Sequence, residues 1–508
     1  MFVLINPPGL KSMNGLQMHT PNPPLGLAYI ASAIEQAGYK IKVIDAVGEA
    51  INTIKPYKPR PDLMVQGLNT DDIVNQINSD DLIVGISCMF STLWPITRDI
   101  ISEIKKQYPS IMILIGGEHS TAVPLSVLNT SPVDFVIKGE GEETIINLLK
   151  AYPNMNEIRK LNGVAYKIND VFFDNGLSIR NREIDKISWP AWHLFPIENY
   201  IDNHQINGVN MGRSMPLLPT RGCPYQCTFC SSPDMWTTRY VTRSPVDVVN
   251  EMVFYINKYN ISNFDFQDLT AVVKRSWAVD FCNEIIRRDL NITWQMPSGT
   301  RSEVFDTEVA DLLYKSGCRA LAFAPESGSV EMLKIIKKQV DLDHLIDAAK
   351  ISVKRGFSVS CFFVIGFPEE TKSTLYESMK LIRKLAFYGI SDVAVSKFIP
   401  YPGSELFKQL QNSGQISLDD KFFISPIDFY SSDAATFSKY LSQKYLYRYM
   451  IWMYVNFYII SFIKYPLRTI NTLFKAVFLN VESTRFSKLF NDIIKTRLKW
   501  WRIANKNS

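Results

Sequence analysis

The stretch Arg221-Gly222-Cys223-Pro224-Tyr225-Gln226-Cys227-Thr228-Phe229-Cys230 brings three of the chain's seven cysteines within eight residues of one another. The spacing is C-x3-C-x2-C. Three thiolates bind three irons of a cubane iron–sulfur cluster and leave the fourth iron open, and an open coordination position is where a metal performs chemistry. A closed zinc site would need a fourth ligand, and the nearest histidine, His204, has no finger-like spacing to this stretch. The pattern therefore favours a reactive cluster over structural zinc.

Predicted strands and helices alternate from Leu217 onward. Further short apolar runs, each predicted to be a strand, are 264–266, 293–296, 320–324, 358–365 and 392–398. Six such units are fewer than the eight of a closed barrel. We therefore predict an α/β partial barrel over residues 213–415.

Six segments of this region resemble, in order, those of the radical S-adenosylmethionine (SAM) superfamily. The cysteine stretch has the family's aromatic residue, Phe229, before its third cysteine. The other segments are Phe264-Asp265-Phe266-Gln267-Asp268, Pro297-Ser298-Gly299-Thr300-Arg301, Ala324-Pro325-Glu326-Ser327-Gly328, Phe363-Val364-Ile365-Gly366-Phe367-Pro368-Glu369-Glu370 and Ile399-Pro400-Tyr401-Pro402-Gly403-Ser404. Any one alone is compatible with ordinary turn chemistry, but coincidence does not explain six in register over about 190 residues. Gln267 is a departure, because the family more often has two acids here.

The resemblance implies that Cys223, Cys227 and Cys230 hold a [4Fe–4S] cluster whose open iron chelates SAM. An electron from the cluster then releases a 5′-deoxyadenosyl radical that abstracts a hydrogen atom. By the same resemblance, Asp268 helps to hold the SAM amino group and Glu326 reaches the ribose or the amino group. The expected SAM-binding residues are Phe229, Asp268, Ser298, Arg301, Glu326, Ser327 and Gly366.

The N-terminal region reads as a second α/β unit. Five predicted strands, 2–5, 41–44, 82–87, 111–115 and 133–137, are separated mainly by helical patterns such as 25–36, which Gly38 terminates. This alternation predicts a doubly wound, Rossmann-like parallel sheet over residues 1–155, with ligands at the carboxyl ends of its strands. A Pro-rich connector is expected at 55–61. A hairpin at 164–173 falls in a longer connector, 156–212, that packs one domain on the other.

This N-terminal region resembles the cobalamin-binding domain of one large branch of the superfamily. The matching pieces are Pro23-Pro24-Leu25-Gly26-Leu27, Gly116-Gly117-Glu118-His119 and Val136-Ile137-Lys138-Gly139-Glu140-Gly141-Glu142-Glu143. The Asp-x-His-x-x-Gly motif that supplies a cobalt ligand in other cobalamin enzymes is absent, as is usual in this branch, and a vestigial domain that binds no corrinoid is the alternative. The expected cobalamin-binding residues are Asn6, Pro8, Gly26, Ser87, Gly116, Gly117, Glu118, His119, Gly139, Glu140 and Gly141.

The C-terminal region, 416–508, is predicted to be helical, basic and aromatic. Residues 439–508 carry 13 Lys or Arg and two acidic residues, whereas the rest of the chain is net acidic. The 15 uncharged residues of 449–463 are too few for a spanning helix. Aromatic bulk with flanking basic charge favours a helix in a membrane interface, so 440–508 is the expected site of peripheral membrane contact. A buried core helix and an oligomer contact are the alternatives.

Cobalamin and SAM together usually imply methylation of an unactivated carbon. One SAM methylates cob(I)alamin, a second supplies the adenosyl radical, and the substrate radical takes the methyl group from methylcobalamin. The tail favours a hydrophobic substrate such as an isoprenoid or membrane lipid. Radical cyclisation or C–C bond formation on a lipid or tetrapyrrole, and methylation of a soluble natural-product intermediate, are the alternatives. A flavodoxin- or ferredoxin-type protein is the expected one-electron donor.

Two further classes of protein are disfavoured by the sequence. A non-catalytic corrinoid sensor would not need the three cysteines, and a nucleic-acid modifier would usually add a second cluster domain and a small β-barrel. Nucleic acid is therefore not an expected partner. Cys88, Cys282, Cys318 and Cys361 lie in apolar segments typical of buried positions. The first residues do not resemble a secretory signal, so we expect a cytoplasmic protein that attaches peripherally to the inner face of the cell membrane.

Overall fold

The computed structural model describes residues 1–12, 21–205, 207–428 and 435–474, with Thr484 and Ser487 beyond them. The predicted tail therefore lies outside the described residues from 475 onward, except at those two positions. Within the described ranges, two α/β units are followed by a helical C-terminal region.

The N-terminal unit is built on a seven-stranded sheet. Its strands, with those of a small sheet beside it, are β1 (Phe2–Asn6), β2 (Gly9–Ser12), β3 (Ile41–Asp45), β4 (Ile54–Tyr57), β5 (Arg60–Gln66), β6 (Ile83–Ser87), β7 (Met112–Gly116), β8 (Phe135–Ile137), β9 (Val164–Ile168) and β10 (Val171–Asp174). The strand order is β10-β9-β8-β7-β6-β1-β3, parallel from β3 to β8. The five predicted strands and the parallel arrangement are thus confirmed.

Nine helices of the described residues accompany these strands. They are α1 (Leu25–Gln36), α2 (Ala46–Glu49), α3 (Thr70–Val74), α4 (Trp94–Gln107), α5 (Glu118–Ala122), α6 (Pro124–Thr130), α7 (Glu142–Ala151), α8 (Met155–Ile158) and α9 (Ile197–Asp202). The helix predicted at 25–36 is confirmed, and Gly38 follows it at φ 85°, a left-handed backbone conformation that glycine adopts without strain.

Two local expectations need correction or extension. The expected Pro-rich connector at 55–61 is wrong, because β4 and β5 pair there in an antiparallel three-stranded sheet with β2. Pro56 is tolerated because β4 is an edge strand, where a missing N–H costs no ladder hydrogen bond. The hairpin at 164–173 is confirmed, and its β9 pairs with β8, so the hairpin extends the N-terminal sheet.

The second unit is an open sheet of six parallel strands in the order β11-β14-β15-β16-β17-β18, which confirms the six predicted units. The strands are β11 (Ser214–Leu217), β12 (Thr220–Arg221), β13 (Val241–Thr242), β14 (Asn263–Phe266), β15 (Thr293–Thr300), β16 (Cys318–Glu326), β17 (Ser358–Ile365) and β18 (Asp392–Lys397). The short strands β12 and β13 pair with each other, so the cysteine stretch leaves and returns through one small ribbon.

The helices of this unit alternate with its strands in sequence, and the last helix follows β18. They are α10 (Ser232–Trp236), α11 (Pro245–Tyr259), α12 (Arg275–Arg287), α13 (Thr307–Lys315), α14 (Val330–Ile335), α15 (Leu342–Arg355), α16 (Lys372–Tyr388) and α17 (Glu405–Asn412). One hydrophobic core runs from α1 through the connector residues Trp192, Phe195 and Tyr200 into the second unit. These three residues therefore pack the N-terminal unit on the second unit.

The C-terminal region contacts both units through α18 (Asp420–Ile424), α19 (Gln443–Lys464) and α20 (Pro466–Phe474). Phe423 and Ile424 of α18 enter the core of the N-terminal unit. Helix α19 instead packs against α16 and β18, where the Tyr454 hydroxyl bonds to both the N–H and the carbonyl of Val395. An edge strand exposes unpaired backbone groups, and α19 covers this edge.

Candidate active site between two sheet edges

The cysteine loop, residues 222–230, begins at Gly222, whose φ of 84° favours glycine. All three cysteines are half-buried. The Cys230 N–H donates to the Cys227 carbonyl (3.1 Å), and the Ser232 N–H lies 3.4 Å from the Cys230 sulfur. Burial raises the pKa of the Cys230 thiol to about 12, so a thiolate there requires a positive partner such as an iron.

The fit of these cysteines to a cluster can be tested on their arrangement. Within the described ranges, no three His, Cys, Asp or Glu side chains surround a single metal-ion position. A cubane cluster requires no such point, because each thiolate binds a different iron. Burial raises the pKa of Cys227, and the neighbouring Lys338 and Arg301 cations partly oppose that rise. Half-buried thiols beside fixed cations fit an anionic cluster.

Asp268 follows β14 and is almost fully buried. Its Oδ1 accepts hydrogen bonds from the Thr220 N–H (2.6 Å) and from the Thr220 hydroxyl. Its Oδ2 has no hydrogen-bond partner among the described residues. Burial raises the pKa of Asp268 to about 7. A buried carboxylate oxygen without a donor fits an ammonium group, which would supply both a proton donor and the compensating charge.

Glu326, the last residue of β16, has a φ of 64°. A non-glycine residue rarely adopts this left-handed conformation, and such strain concentrates at functional sites. Lys338 donates to Glu326 Oε1 at 3.0 Å, and both side chains are about nine-tenths buried. Sequence reasoning missed Lys338, because a lysine in a Lys-Lys turn carries no signal until the fold brings it beside Glu326 and Cys227.

The remaining expected SAM contacts lie at the same carboxyl edge. The Arg301 guanidinium stacks over the Tyr225 ring at 4.0 Å and pairs with Glu303 at 2.5 Å. Ser298 is exposed and accepts a hydrogen bond from Asn207 (3.0 Å). Ser327 instead bonds to Ser378 (3.2 Å), inside the protein.

Gly366 and Phe229 are the last two expected SAM contacts, and the segment that contains Gly366 resembles the family's adenine-contacting strand end. Gly366 has a φ of 86°, and a Cβ there would lie 2.8 Å from Leu446 of α19. Phe229 packs against Phe367 with a centroid separation of 5.6 Å. The seven expected SAM-binding residues lie in the region of the carboxyl edge of the second sheet. Their contacts with SAM stay predictions.

The expected cobalamin contacts lie at the carboxyl edge of the N-terminal sheet, but several are engaged by the protein itself. Asn6 donates to Asp45 at 2.7 Å. Glu118 accepts a hydrogen bond from the Ser231 hydroxyl, and Glu140 pairs with Arg180 at 2.5 Å. Pro8 is buried.

The edge glycines fall into two groups. A Cβ on Gly117 would lie 2.6 Å from the Cys88 carbonyl oxygen, one on Gly139 would lie 2.5 Å from Ser178 Oγ, and one on Gly141 would lie 2.8 Å from Ile30. Gly117 and Gly139 also have positive φ angles of 113° and 80°, so the fold favours glycine at these two positions. The close contact at Gly141 is only with the end of the flexible Ile30 side chain. Gly26 instead has open space around its Cβ position.

His119 is a core residue in this structure. Its ring stacks on Trp94 at 5.2 Å and meets the edge of Phe423 at 5.1 Å, while Nδ1 bonds to Ser91 (2.9 Å). Burial lowers the pKa of His119 to about 3, so the ring is neutral at physiological pH. The expected role of His119 in cobalamin binding stays a prediction, and its packing explains its burial without one.

The fit to a corrinoid rests on exposed apolar groups at strand ends. Met89 and Phe90 follow β6, Leu269 follows Asp268, and Tyr401 follows β18; all four are exposed. Large apolar side chains left exposed at the carboxyl ends of strands are typical of a ligand-binding site, and they suit the apolar faces of a corrin ring. Together with the open position at Gly26, these residues fit a macrocycle between the two sheets. Ser87 is half-buried, and a Cβ on Gly116 would make an ordinary contact with Ile137.

Two family models match separate parts of the chain. The radical SAM superfamily model matches residues 217–382, and the B12 binding domain model matches residues 14–149. The two matches cover the cysteine stretch and the N-terminal sheet respectively, which are the regions whose edges form the site described above.

Curated relatives match this chain over most of its length. An uncharacterised methyltransferase of Pyrococcus horikoshii is 29% identical over 80% of this chain and 83% of the relative. Cytidylyl-2-hydroxyethylphosphonate methyltransferase of Streptomyces wedmorensis is 28% identical over 79% of this chain and 80% of that enzyme. More distant relatives include an anaerobic magnesium-protoporphyrin IX monomethyl ester cyclase of Cereibacter sphaeroides (26% identity, 80% and 63% covered) and hopanoid C-3 methylase of Methylococcus capsulatus (22%, 75% and 67%).

A solved structure shares the fold. The radical SAM methyltransferase TsrM of Kitasatospora setae, with cobalamin and a [4Fe–4S] cluster bound, superposes with a TM-score of 0.65 at 16% identity, covering 89% of this chain and 90% of that one. The cysteine spacing, the six-stranded open barrel, the N-terminal parallel sheet and both family matches agree. The chain belongs to the radical SAM superfamily, in the branch with an N-terminal B12-binding domain, and its cofactors are a [4Fe–4S] cluster, SAM and cobalamin.

Proposed function

We propose that the protein methylates an unactivated carbon of a hydrophobic, lipid-like substrate. The cluster and SAM would supply the radical that removes a hydrogen atom, and cobalamin would supply the methyl group. One observation carries this proposal: the cysteine loop of one domain lies against the carboxyl edge of the other, through Arg221 to Glu142 (2.7 Å) and through Ser231 to Glu118. Radical generation and methyl donation would thus share the space between the two edges, which we call the chamber.

The chain's own residues would bind and orient the cofactors. Asp268 would accept from the SAM ammonium group, Arg301 would face its carboxylate, and Glu326 with Lys338 would fix the remaining polar groups. The exposed apolar residues Phe90 and Leu269 would exclude water from the chamber. Exclusion of water protects a carbon radical from side reactions.

The C-terminal helices favour a hydrophobic substrate reached at a membrane surface. No helix in the described ranges is long and apolar enough to cross a membrane. Helix α19 nevertheless has two apolar faces: Leu446, Met450, Met453 and Phe457 are buried against the barrel, while the other face, continued by α20, is exposed. The exposed residues are Trp452, Val455, Ile459, Phe462, Ile463, Leu467, Ile470 and Phe474.

Charge complements that exposed face. Arg448, Lys464 and Arg468 accompany it, and residues 439–508 carry a net charge of +11 from 13 basic and two acidic residues. An apolar helix face with basic flanks binds anionic bilayers by partial burial and by charge. Leu446, at the start of α19, packs on the Gly366 position, so the same helix reaches from the proposed membrane face to the SAM site. The expected attachment to a cell membrane stays a proposal on these grounds.

The first test of the proposed function compares lipid extracts by untargeted mass spectrometry. Cells would carry either the wild-type gene or a Cys223→Ala/Cys227→Ala/Cys230→Ala variant. A lipid lighter by one methylene in the variant supports methyl transfer. A species heavier by two hydrogens would replace it with radical cyclisation, which the magnesium-protoporphyrin cyclase relatives make the second candidate. An unchanged lipid profile would contradict the lipid substrate and direct the search to polar metabolites.

Membrane contact is tested by flotation with vesicles of phosphatidylglycerol and phosphatidylcholine. We expect binding to the anionic vesicles that falls at high salt, because screening weakens surface charge interactions. Ile463→Ser together with Leu467→Ser should lower the partition by about tenfold or more, since burying each side chain contributes about 1.5–3 kcal/mol. Ile179→Ser is the matched control, because Ile179 is as exposed as Ile463 (75% and 74%) but lies in the connector. Equal binding by both variants would contradict the membrane face.

A further inference from the structure

The cysteine loop is bounded by two residues that bind the other domain. Arg221 immediately precedes the loop, and Ser231 immediately follows it. The Arg221 Nη2 donates to Glu142 Oε1 at 2.7 Å, and its Nη1 donates to Glu140 Oε1 at 3.2 Å. The Arg221 side chain is 5% exposed, so these contacts lie inside the interface between the two units.

The connector adds a second arginine to the same network. Arg180 pairs with Glu140 at 2.5 Å, and the Asn181 N–H donates to Glu140 Oε2 at 2.7 Å. Two arginines and two glutamates thus meet with no net charge. The Arg221 guanidinium also lies 5.0 Å from the Tyr29 ring centroid of α1. A planar guanidinium between two carboxylates and an aromatic ring has little freedom to shift.

The other end of the loop has an independent contact. The Ser231 hydroxyl donates to Glu118, the first residue of α5, and α10 packs against α5. A Cβ on Gly403 would lie 3.2 Å from Ala122 and 3.3 Å from Asp234, so the loop after β18 closes on the same junction. Both ends of the cysteine loop are therefore held by the carboxyl edge of the N-terminal sheet.

We propose that Arg221 and Ser231 are positioning residues that set the separation between the cluster and cobalamin. Glu140 and Glu142 hold one end of the cysteine loop and Glu118 holds the other, so Glu118 and Glu140 serve the domain junction and not the corrinoid itself. The proposal rests on the cofactor assignment and does not depend on which substrate is methylated.

The consequence is chemical as well as structural. A methyl group and a hydrogen-abstracting radical must reach the same carbon, and a misplacement of about 1 Å can cost about a hundredfold in rate. The three cysteines would bind the cluster and do not by themselves fix the loop to the N-terminal sheet. Without further contacts, the distance between the loop and that sheet could vary. Two contacts on either side of the loop remove that freedom.

The test uses electron paramagnetic resonance of the holoenzyme loaded with cob(II)alamin. The reduced cluster relaxes the cob(II)alamin spin, and this dipolar effect falls steeply with distance. We expect Glu142→Gln and Ser231→Ala each to change the relaxation rate measurably from wild type while cluster absorbance and bound cobalamin stay constant. Glu142→Gln keeps the size and an acceptor oxygen but loses the charge. Ser231→Ala removes only a hydroxyl, so it provides a variant that folds.

Glu284→Gln is the matched control. Glu284 is largely buried and pairs with Arg287 (2.7 Å) and Arg288 (2.6 Å), but these three residues lie together at the end of α12 within the barrel unit. This variant should lower thermal stability and leave the relaxation rate unchanged. Wild-type relaxation in both Glu142→Gln and Ser231→Ala would overturn the proposal and leave the network a purely structural role. Wild-type protein without bound cobalamin would overturn the cofactor assignment, whereas a cyclised product would overturn only the proposed methyl transfer.

Discussion

The two sheet edges that face each other in this protein differ in how their acidic side chains are satisfied. At the barrel edge, Asp268 has a buried oxygen without a partner among the described residues, and Glu326 holds a strained backbone. At the N-terminal edge, Asp45 and Glu140 are already bonded to protein groups. A small charged molecule such as SAM is recognised by charged and polar groups of the protein. Such groups lack hydrogen-bond partners when the ligand is not bound. A large corrinoid is recognised by shape and apolar area, which leaves exposed side chains such as Phe90.

The largest expected effect follows from removing all three cluster ligands at the barrel edge. Replacing Cys223, Cys227 and Cys230 together with alanine should abolish 5′-deoxyadenosine formation, because no ligand for the cluster remains. Liquid chromatography of reaction mixtures and iron analysis check this. Cys282→Ala is the control: Cys282 is buried in the core, so its loss should lower stability and preserve both cluster and product. Residual 5′-deoxyadenosine in the triple variant would contradict the assignment of the cluster.

The next effect isolates Asp268. Asp268→Asn should weaken SAM binding by about 10–100-fold, since a charge-assisted hydrogen bond contributes about 1.5–3 kcal/mol. Isothermal titration of the reconstituted protein measures this, with cluster absorbance unchanged. Asp45→Asn tests the other edge: Asp45 is equally buried, but Asn6 and Tyr200 satisfy it. That variant should lower stability and leave SAM affinity intact. Cluster loss in Asp268→Asn would mean that Asp268 supports the loop and not SAM.

The pH dependence of SAM binding sharpens the same contrast. Because burial raises the pKa of Asp268 to about 7 in the SAM-free protein, ammonium binding requires its deprotonation, and affinity should rise about tenfold from pH 6 to pH 8. Asp268→Asn should flatten the profile. Between about pH 4 and pH 7, Asp268 is protonated in the folded protein and deprotonated in the unfolded chain. The group therefore lowers the stability of the SAM-free protein as pH rises from about 4 to about 7. A flat wild-type affinity profile would contradict the role of Asp268.

The smallest effects separate two glycines of the N-terminal edge. Gly117→Ala should lower the free energy of unfolding by about 1–3 kcal/mol, because a Cβ at a φ of 113° meets the Cys88 carbonyl. Gly26→Ala meets nothing, and in the first turn of α1 it should be neutral or stabilise by up to about 1 kcal/mol. If corrinoid occupies that open space, Gly26→Ala should lower cobalamin retention several-fold on gel filtration. Unchanged retention would remove Gly26 from the expected contacts.

The sequence predicted the fold because its periodicities are local. Buried-type strands ended by Gly, Pro or Asn and helices ended by glycine define both parallel sheets, and the six motifs in register identify the family. The region 55–61 was mispredicted because proline is compatible with a connector and equally with an edge strand, and only the partner strand β5 decides between them. The helix at 449–463 was left with alternatives, since an all-round apolar composition does not say which face is covered.

What the sequence determined by itself was the chemistry: three cysteines at fixed spacing can act together without any distant residue, so the cluster is visible in eight positions. What only the tertiary structure decided was the environment of that chemistry. Lys338 reaches Glu326 from a separate turn, Arg221 binds carboxylates of another domain, and α19 covers the edge strand with one face while exposing the other. Such contacts depend on how elements far apart in the chain are arranged. The local sequence around a charged residue or an apolar helix face does not identify the residues that it will contact.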